Sequence, residues 1–158
     1  MTTIAVIDFE TTGISPGMGD RATEVAIVLI EDGQVVDRFQ SLMNAGVRVN
    51  SFITQLTGIT NEMLQAAPSA EQVMREAARF VDGRTLAALH QLPPAGRAHR
   101  AMADAEVAAS LLLHMQHDLK TRHGCIAPDP ALLMGLQRTS RHLVGGYLKR
   151  QARVVFIK

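Results

Sequence analysis

The sequence predicts an α/β fold built as one compact unit, and three observations carry that prediction. Three strand-like runs open the chain, the hydrophobic period changes to that of a helix after residue 69, and 158 residues with 47% hydrophobic and 20% charged content suit a single core.

Residues 3–9 are apolar on both faces and rich in β-branched side chains, the pattern of a central strand. Residues 23–31 and 34–42 are two further strand-like runs, joined through Asp32-Gly33, a favoured hairpin turn pair. Ser69 and Gln72 have capping-box spacing, and Val73, Ala77, Phe80 and Val81 follow at helical intervals, which predicts a helix over 70–82 ended by Gly83. Residues 85–90 read as a short helical turn stopped by Pro93-Pro94. A longer helix begins near Ala101, with an inward stripe of Asp104, Val107, Ala108, Leu111, Leu112, Met115 and Leu119. Beyond it, 123–130 reads as a loop, 131–137 and 141–151 as helical with a break at Gly145-Gly146, and 154–157 as a short strand. Residues 1–122 thus form the main domain and 123–158 a basic C-terminal extension.

Composition narrows the function classes. No apolar run approaches the ~18 residues of a membrane span, and the opening MTTIAVIDFE is acidic where a signal peptide is basic, so the expectation is a cytoplasmic protein with no membrane association. Cys125 is the single cysteine, which excludes an internal disulfide. Residues 1–83 hold 5 basic and 11 acidic side chains, and residues 84–158 hold 11 and 4. That asymmetry fits an acidic metal-binding centre beside a phosphate-attracting flank, and equally fits solvated helix faces. Five Phe, one Tyr and no Trp argue against an extended base-stacking platform.

Two acids at the end of the first strand carry the chemistry. Asp8 and Glu10 are two residues apart and so project from the face that Ile4 and Val6 bury. Side by side they repel and raise one pKa, unless a divalent cation keeps both ionised. Taken alone, the pair also fits a frayed strand end with two solvated acids. Asp104 opens the inward stripe of its helix, where a carboxylate requires a cation or a donor, although a helix-start acid also gains from the macrodipole. His99 lies five positions earlier, about 140° around a continuous helix, so it reaches the Asp104 face only from the preceding loop. That place suits a mobile general base, although a lone histidine there reads more simply as a solvated loop residue.

The run Asp8-Phe9-Glu10-Thr11-Thr12-Gly13, then Leu56-Thr57-Gly58-Ile59-Thr60, then His99 followed by Asp104 resembles the DEDDh 3′–5′ exonucleases, the group that includes the proofreading epsilon subunit of DNA polymerase III and ribonuclease T. The likeness spans roughly residues 3–118. It implies a ribonuclease H-like fold, a mixed sheet with flanking helices, and a pair of Mg²⁺ or Mn²⁺ ions held by Asp8, Glu10 and Asp104. His99 then deprotonates the attacking water, while Thr12, Gly13, Leu56 and Gly58 line the cleft for the terminal nucleotide. The implied partners are single-stranded DNA or RNA 3′ ends and a DNA polymerase. The family also carries another aspartate in a His-Asn-x-x-Phe-Asp setting, within a strand and helices between the equivalents of Gly83 and Thr85, and this sequence has no such segment. Asp82 is the nearest substitute, although its position reads as a solvated helix end. Three carboxylates in place of four lead to an expectation of weak or lost turnover, with a non-catalytic nucleic-acid-binding or polymerase-associated module as the alternative. Removal of a sheet neighbour also predicts a bare edge on the first strand, covered by 154–157 or by a second copy in a homodimer.

Two weaker features complete the reading. His117, His123 and Cys125 lack a convincing fourth zinc ligand. Arg138, Arg141, Lys149, Arg150, Arg153 and Lys158 form an acid-free tail, suited either to phosphates or to solvent.

Overall fold

A computed structural model describes residues 3–88, 100–125 and 128–153. Strands β1 (Ile4–Thr11), β2 (Ala22–Glu31) and β3 (Gln34–Leu42) form an antiparallel meander. Its hairpin turns at Asp32-Gly33, both with positive φ (50° and 79°), the backbone that matches the twist of the flanking strands. Helices α1 (Ser51–Thr57), α2 (Asn61–Ala66) and α3 (Ala70–Phe80) follow. Strand β4 (Thr85–Ala87) then joins the other side of β1 in parallel, giving the order β3-β2-β1-β4. Helices α4 (Ala101–His123), α5 (Pro130–Arg138) and α6 (Val144–Arg153) complete the chain.

The sheet is covered on both faces. Ile4, Val6, Ala26, Val28 and Ile30 meet Ala101, Ala105, Ala108 and Ala109 of α4 on one side. Ala5, Val25, Ile27 and Leu29 meet Met43 and the Val73 and Ala77 side chains of α3 on the other. The unbroken run of buried β2 residues follows from this double cover. A separate cluster joins Leu119 at the end of α4 to Cys125, Leu132 of α5 and Leu148 of α6.

Four expectations require correction. Residues 85–87 are a strand rather than a helical turn, because Thr85, Leu86 and Ala87 pair with Ile4, Ala5 and Val6. The same pairing means that β1 is not bare along Ile4–Val6, so that stretch offers no open edge to a second copy. The α4 stripe holds only in part: Ala108 and Leu119 are buried and Leu112 packs against the core, but Leu111 and Met115 are 41% and 44% exposed, and Ala101, Ala105 and Ala109 are buried in their place. Gly145-Gly146 does not break α6, since both fall in its first turn, where few helical hydrogen bonds depend on them. Helices α1 and α2 were not anticipated, being short and too irregular in apolar spacing to register as helical. The 154–157 strand and Pro93-Pro94 lie outside the described residues.

The α3 start behaves as half of the predicted capping box. Ser69 Oγ accepts from the Gln72 amide at 3.2 Å, but the Gln72 side chain donates forward to Glu76 at 3.1 Å rather than back to the cap.

Candidate metal centre

β1 continues to Thr11, so Asp8 and Glu10 stand within a hydrogen-bonded strand rather than beyond its end. Strand alternation puts them in line with Ile4 and Val6, on the side covered by α4. Asp104 approaches from the first turns of that helix, its amide donating to the Arg100 carbonyl at 3.1 Å. One carboxylate oxygen from each of Asp8, Glu10 and Asp104 lies within 4.8 Å of the others, the only such acidic or His/Cys group among the described residues. Asp82, and His117 with His123 and Cys125, contribute to no such group.

Glu10 is 9% exposed, and its carboxyl is pushed up to about 7. Burial is the largest cause, followed by the charges of Asp8, Asp104 and Glu24, with Arg100 opposing them. Three anionic oxygen donors, one withdrawn from water and facing two more, are the donor set of a hard divalent cation. The residues present therefore fit a hard divalent cation, which Asp8, Glu10 and Asp104 could hold.

Sequence reasoning missed the next acid. Glu24 is paired directly across from Glu10 in the β1–β2 register and is 1% exposed. Its Oε1 accepts from Arg100 Nη2 at 2.7 Å and Gln40 Nε2 at 2.9 Å, and its Oε2 from Arg100 Nε and the Ala101 amide, both at 3.1 Å. Burial works to raise its pKa, but these donors prevail and hold it below the ordinary glutamate value. An acid near the start of β2, leading directly into the apolar run Val25–Ile30, was the available signal.

The loop after β1 is organised by Asp20. Thr12, which is buried, donates from Oγ1 to Asp20 at 3.0 Å and accepts from the Arg21 amide at 3.1 Å, while Asp20 accepts from the Ser15 amide at 2.9 Å. A Cβ on Gly13 would collide with the Asp20 carboxylate. Gly13 therefore serves a close approach rather than a left-handed turn. Leu56 lies part-exposed on α1, and Gly58 caps that helix, its amide donating to the Thr54 carbonyl at 2.8 Å. Thr57 and Thr60 engage local backbone amides, so the Leu56–Thr60 segment is the junction of two short helices. His99 lies outside the described residues.

A mixed sheet with helices on both faces and three acids converging from β1 and α4 defines a ribonuclease H-like nuclease fold. A family model described as Exonuclease matches residues 5–94, more than half of the chain, and the protein belongs to that exonuclease family. It is 44% identical over 78 residues to the 3′-5′ exonuclease DinG of Bacillus subtilis (strain 168), covering 49% of this chain and 8% of that protein. It is 37% identical over 86 residues to a DNA polymerase III PolC-type of Thermotoga petrophila, covering 54% and 6% respectively. The chain thus spans less than a tenth of the length of these relatives. Among solved structures, the nuclease domain of 3′hExo, a DEDDh family member bound to rAMP, superposes with a TM-score of 0.62 at 18% identity, over 73% of this chain and 92% of that one. That likeness establishes the fold.

Proposed function

We propose that this chain is a metal-dependent 3′–5′ exonuclease-like protein that acts on phosphodiester bonds at the 3′ ends of single-stranded DNA or RNA. The observation that carries the reading is the convergence of Asp8, Glu10 and Asp104 to within 4.8 Å of one another, in a protein of the exonuclease family. When bound, Mg²⁺ or Mn²⁺ supplies Lewis-acid charge at the reacting phosphate and its attacking water. Asp8, Glu10 and Asp104 hold that charge in place, and His99, next in sequence to the anchored Arg100, takes the proton of the water. Gly13 and the Thr12 backbone, with Leu56 and Gly58, receive the terminal nucleotide; the Thr12 hydroxyl is committed to Asp20 and Arg21.

Turnover is weak in this reading, because no fourth acid joins the cluster among the described residues. The same observation favours a second reading, a non-catalytic nucleic-acid-binding module, which the PolC-type relatives extend to a DNA polymerase as partner. Incubation with a 3′-labelled oligonucleotide in Mn²⁺ separates the two. Label release that Asp8→Ala abolishes supports the exonuclease, and binding without release supports the module.

A further inference from the structure

We infer that Glu24 is a positioning residue for the carboxylate cluster, fixing through Arg100 and the Ala101 amide where Asp104 meets Asp8 and Glu10. The inference rests on the reading of those three carboxylates as a cation site.

The start of α4 is capped from the sheet rather than by its own N-cap side chain. Its N-cap residue is Arg100, whose side chain makes no cap hydrogen bond to its own helix. The first amides of a helix have no acceptor within it, and one of them, that of Ala101, is satisfied by Glu24 from the neighbouring sheet. Glu24 thus substitutes for the missing cap across space. Asp104 follows within the same turn, hydrogen-bonded to the Arg100 carbonyl, so the segment that carries it hangs from the residue Glu24 grips.

Below the clamp, the buried α4 residues against the sheet are Ala101, Ala105, Ala108 and Ala109, with the partly buried Met102, Leu112 and Leu113 packed beside them. The fully buried contacts are single methyl groups, which fix sliding and rotation less firmly than interlocking large side chains. A bidentate Arg–carboxylate pair with fixed fork geometry, closed by a backbone amide, specifies both. Gln40 on β3 saturates the remaining acceptor, so β2, β3 and α4 are tied at one point. Burying a fourth carboxylate directly opposite Glu10 adds repulsion to the cluster, a cost that a merely space-filling β2 residue would not incur.

The test is Mn²⁺ binding to the full chain, followed by the electron paramagnetic resonance signal of the free ion, with amide hydrogen exchange at Ala101 measured at the same temperature, well below unfolding. Wild type should bind and Asp8→Ala should not. Glu24→Gln keeps the shape but loses the charge that grips Arg100, and its Mn²⁺ affinity should fall by about 10–100-fold, the usual effect of removing a partner that orients metal ligands. Exchange at Ala101 should accelerate in parallel. Arg100→Lys, which keeps charge without the fork, should show a smaller loss and carries the test if Glu24→Gln does not fold. Wild-type affinity in either folded variant, with faster exchange at Ala101, would reduce the clamp to a purely structural role and overturn the inference alone. A wild-type protein that binds no Mn²⁺ would overturn the cation reading and the inference together.

Discussion

Glu10 and Glu24 face each other across β1 and β2, and their carboxyls are driven in opposite directions. Both are buried, so burial opposes ionisation of both. Glu24 has four donors within 3.1 Å and stays charged, whereas Glu10 faces Asp8 and Asp104 and rises to about 7. One strand pair therefore holds an acid satisfied by protein donors and another set among further acids, the kind of group a divalent cation would satisfy.

Metal-free stability should depend on pH through Glu10. Its folded value of about 7 lies above the ordinary 4.5, so its contribution is fully present below 4.5 and is lost as pH rises through 7. In chelator, Glu10→Gln should melt higher than wild type at pH 8 and show no such advantage at pH 5. Added Mn²⁺ should raise the wild-type melting temperature more at pH 8 than at pH 6, where protons compete for the same carboxylate. Thermal unfolding at the three pH values reads both effects, and a wild-type Mn²⁺ shift that is equal at pH 6 and pH 8 would remove Glu10 from the ligand set.

Calorimetry should detect one Mg²⁺ or Mn²⁺ site rather than two of comparable strength. Three carboxylates retain one hard cation with water completing its shell, while the second ion of a two-metal site needs donors that the described residues do not offer. Two comparably tight sites would mean that a further acid has entered the cluster.

Much of this architecture was legible because its signals are local. Alternation in β1 aimed Asp8 and Glu10 at the α4 face, Asp32-Gly33 announced the hairpin, and Ser69 announced α3. The errors arose where tertiary contacts decide. Thr85–Ala87 has too few residues to show a period, and only pairing with Ile4–Val6 makes it a strand. Glu24 reads as an isolated acid until Arg100, 76 positions later, folds over it.

Gly13→Ala should destabilise the protein by about 1–3 kcal/mol, the usual range for forcing extra volume into a packed site. The added methyl must displace the Asp20 carboxylate, and with it the bonds to Thr12 and Ser15. Asp20→Ala should cost stability by itself, yet add little on top of Gly13→Ala, since both act on one contact. A double-mutant cycle in urea checks this coupling, and strictly additive losses would show that the clash is relieved elsewhere.

The phase of α4 makes opposite predictions for two apolar positions. Ala105 is fully buried against the sheet, so Ala105→Leu should push the helix outward and destabilise by about 1–3 kcal/mol. The helix bears Asp104 one residue earlier, and any outward shift separates that carboxylate from Asp8 and Glu10, so Mn²⁺ affinity should fall as well. Leu111 is the larger and more hydrophobic residue, and a stripe read from sequence places it inward. Because 41% of it is exposed, Leu111→Gln should change stability by only about 0.5–1 kcal/mol and leave Mn²⁺ affinity intact. Urea unfolding with parallel Mn²⁺ titration decides between the two phases. A severe loss in Leu111→Gln beside a neutral Ala105→Leu would restore the leucine stripe as the packed face and remove the alanine contact on which the placement of Asp104 depends.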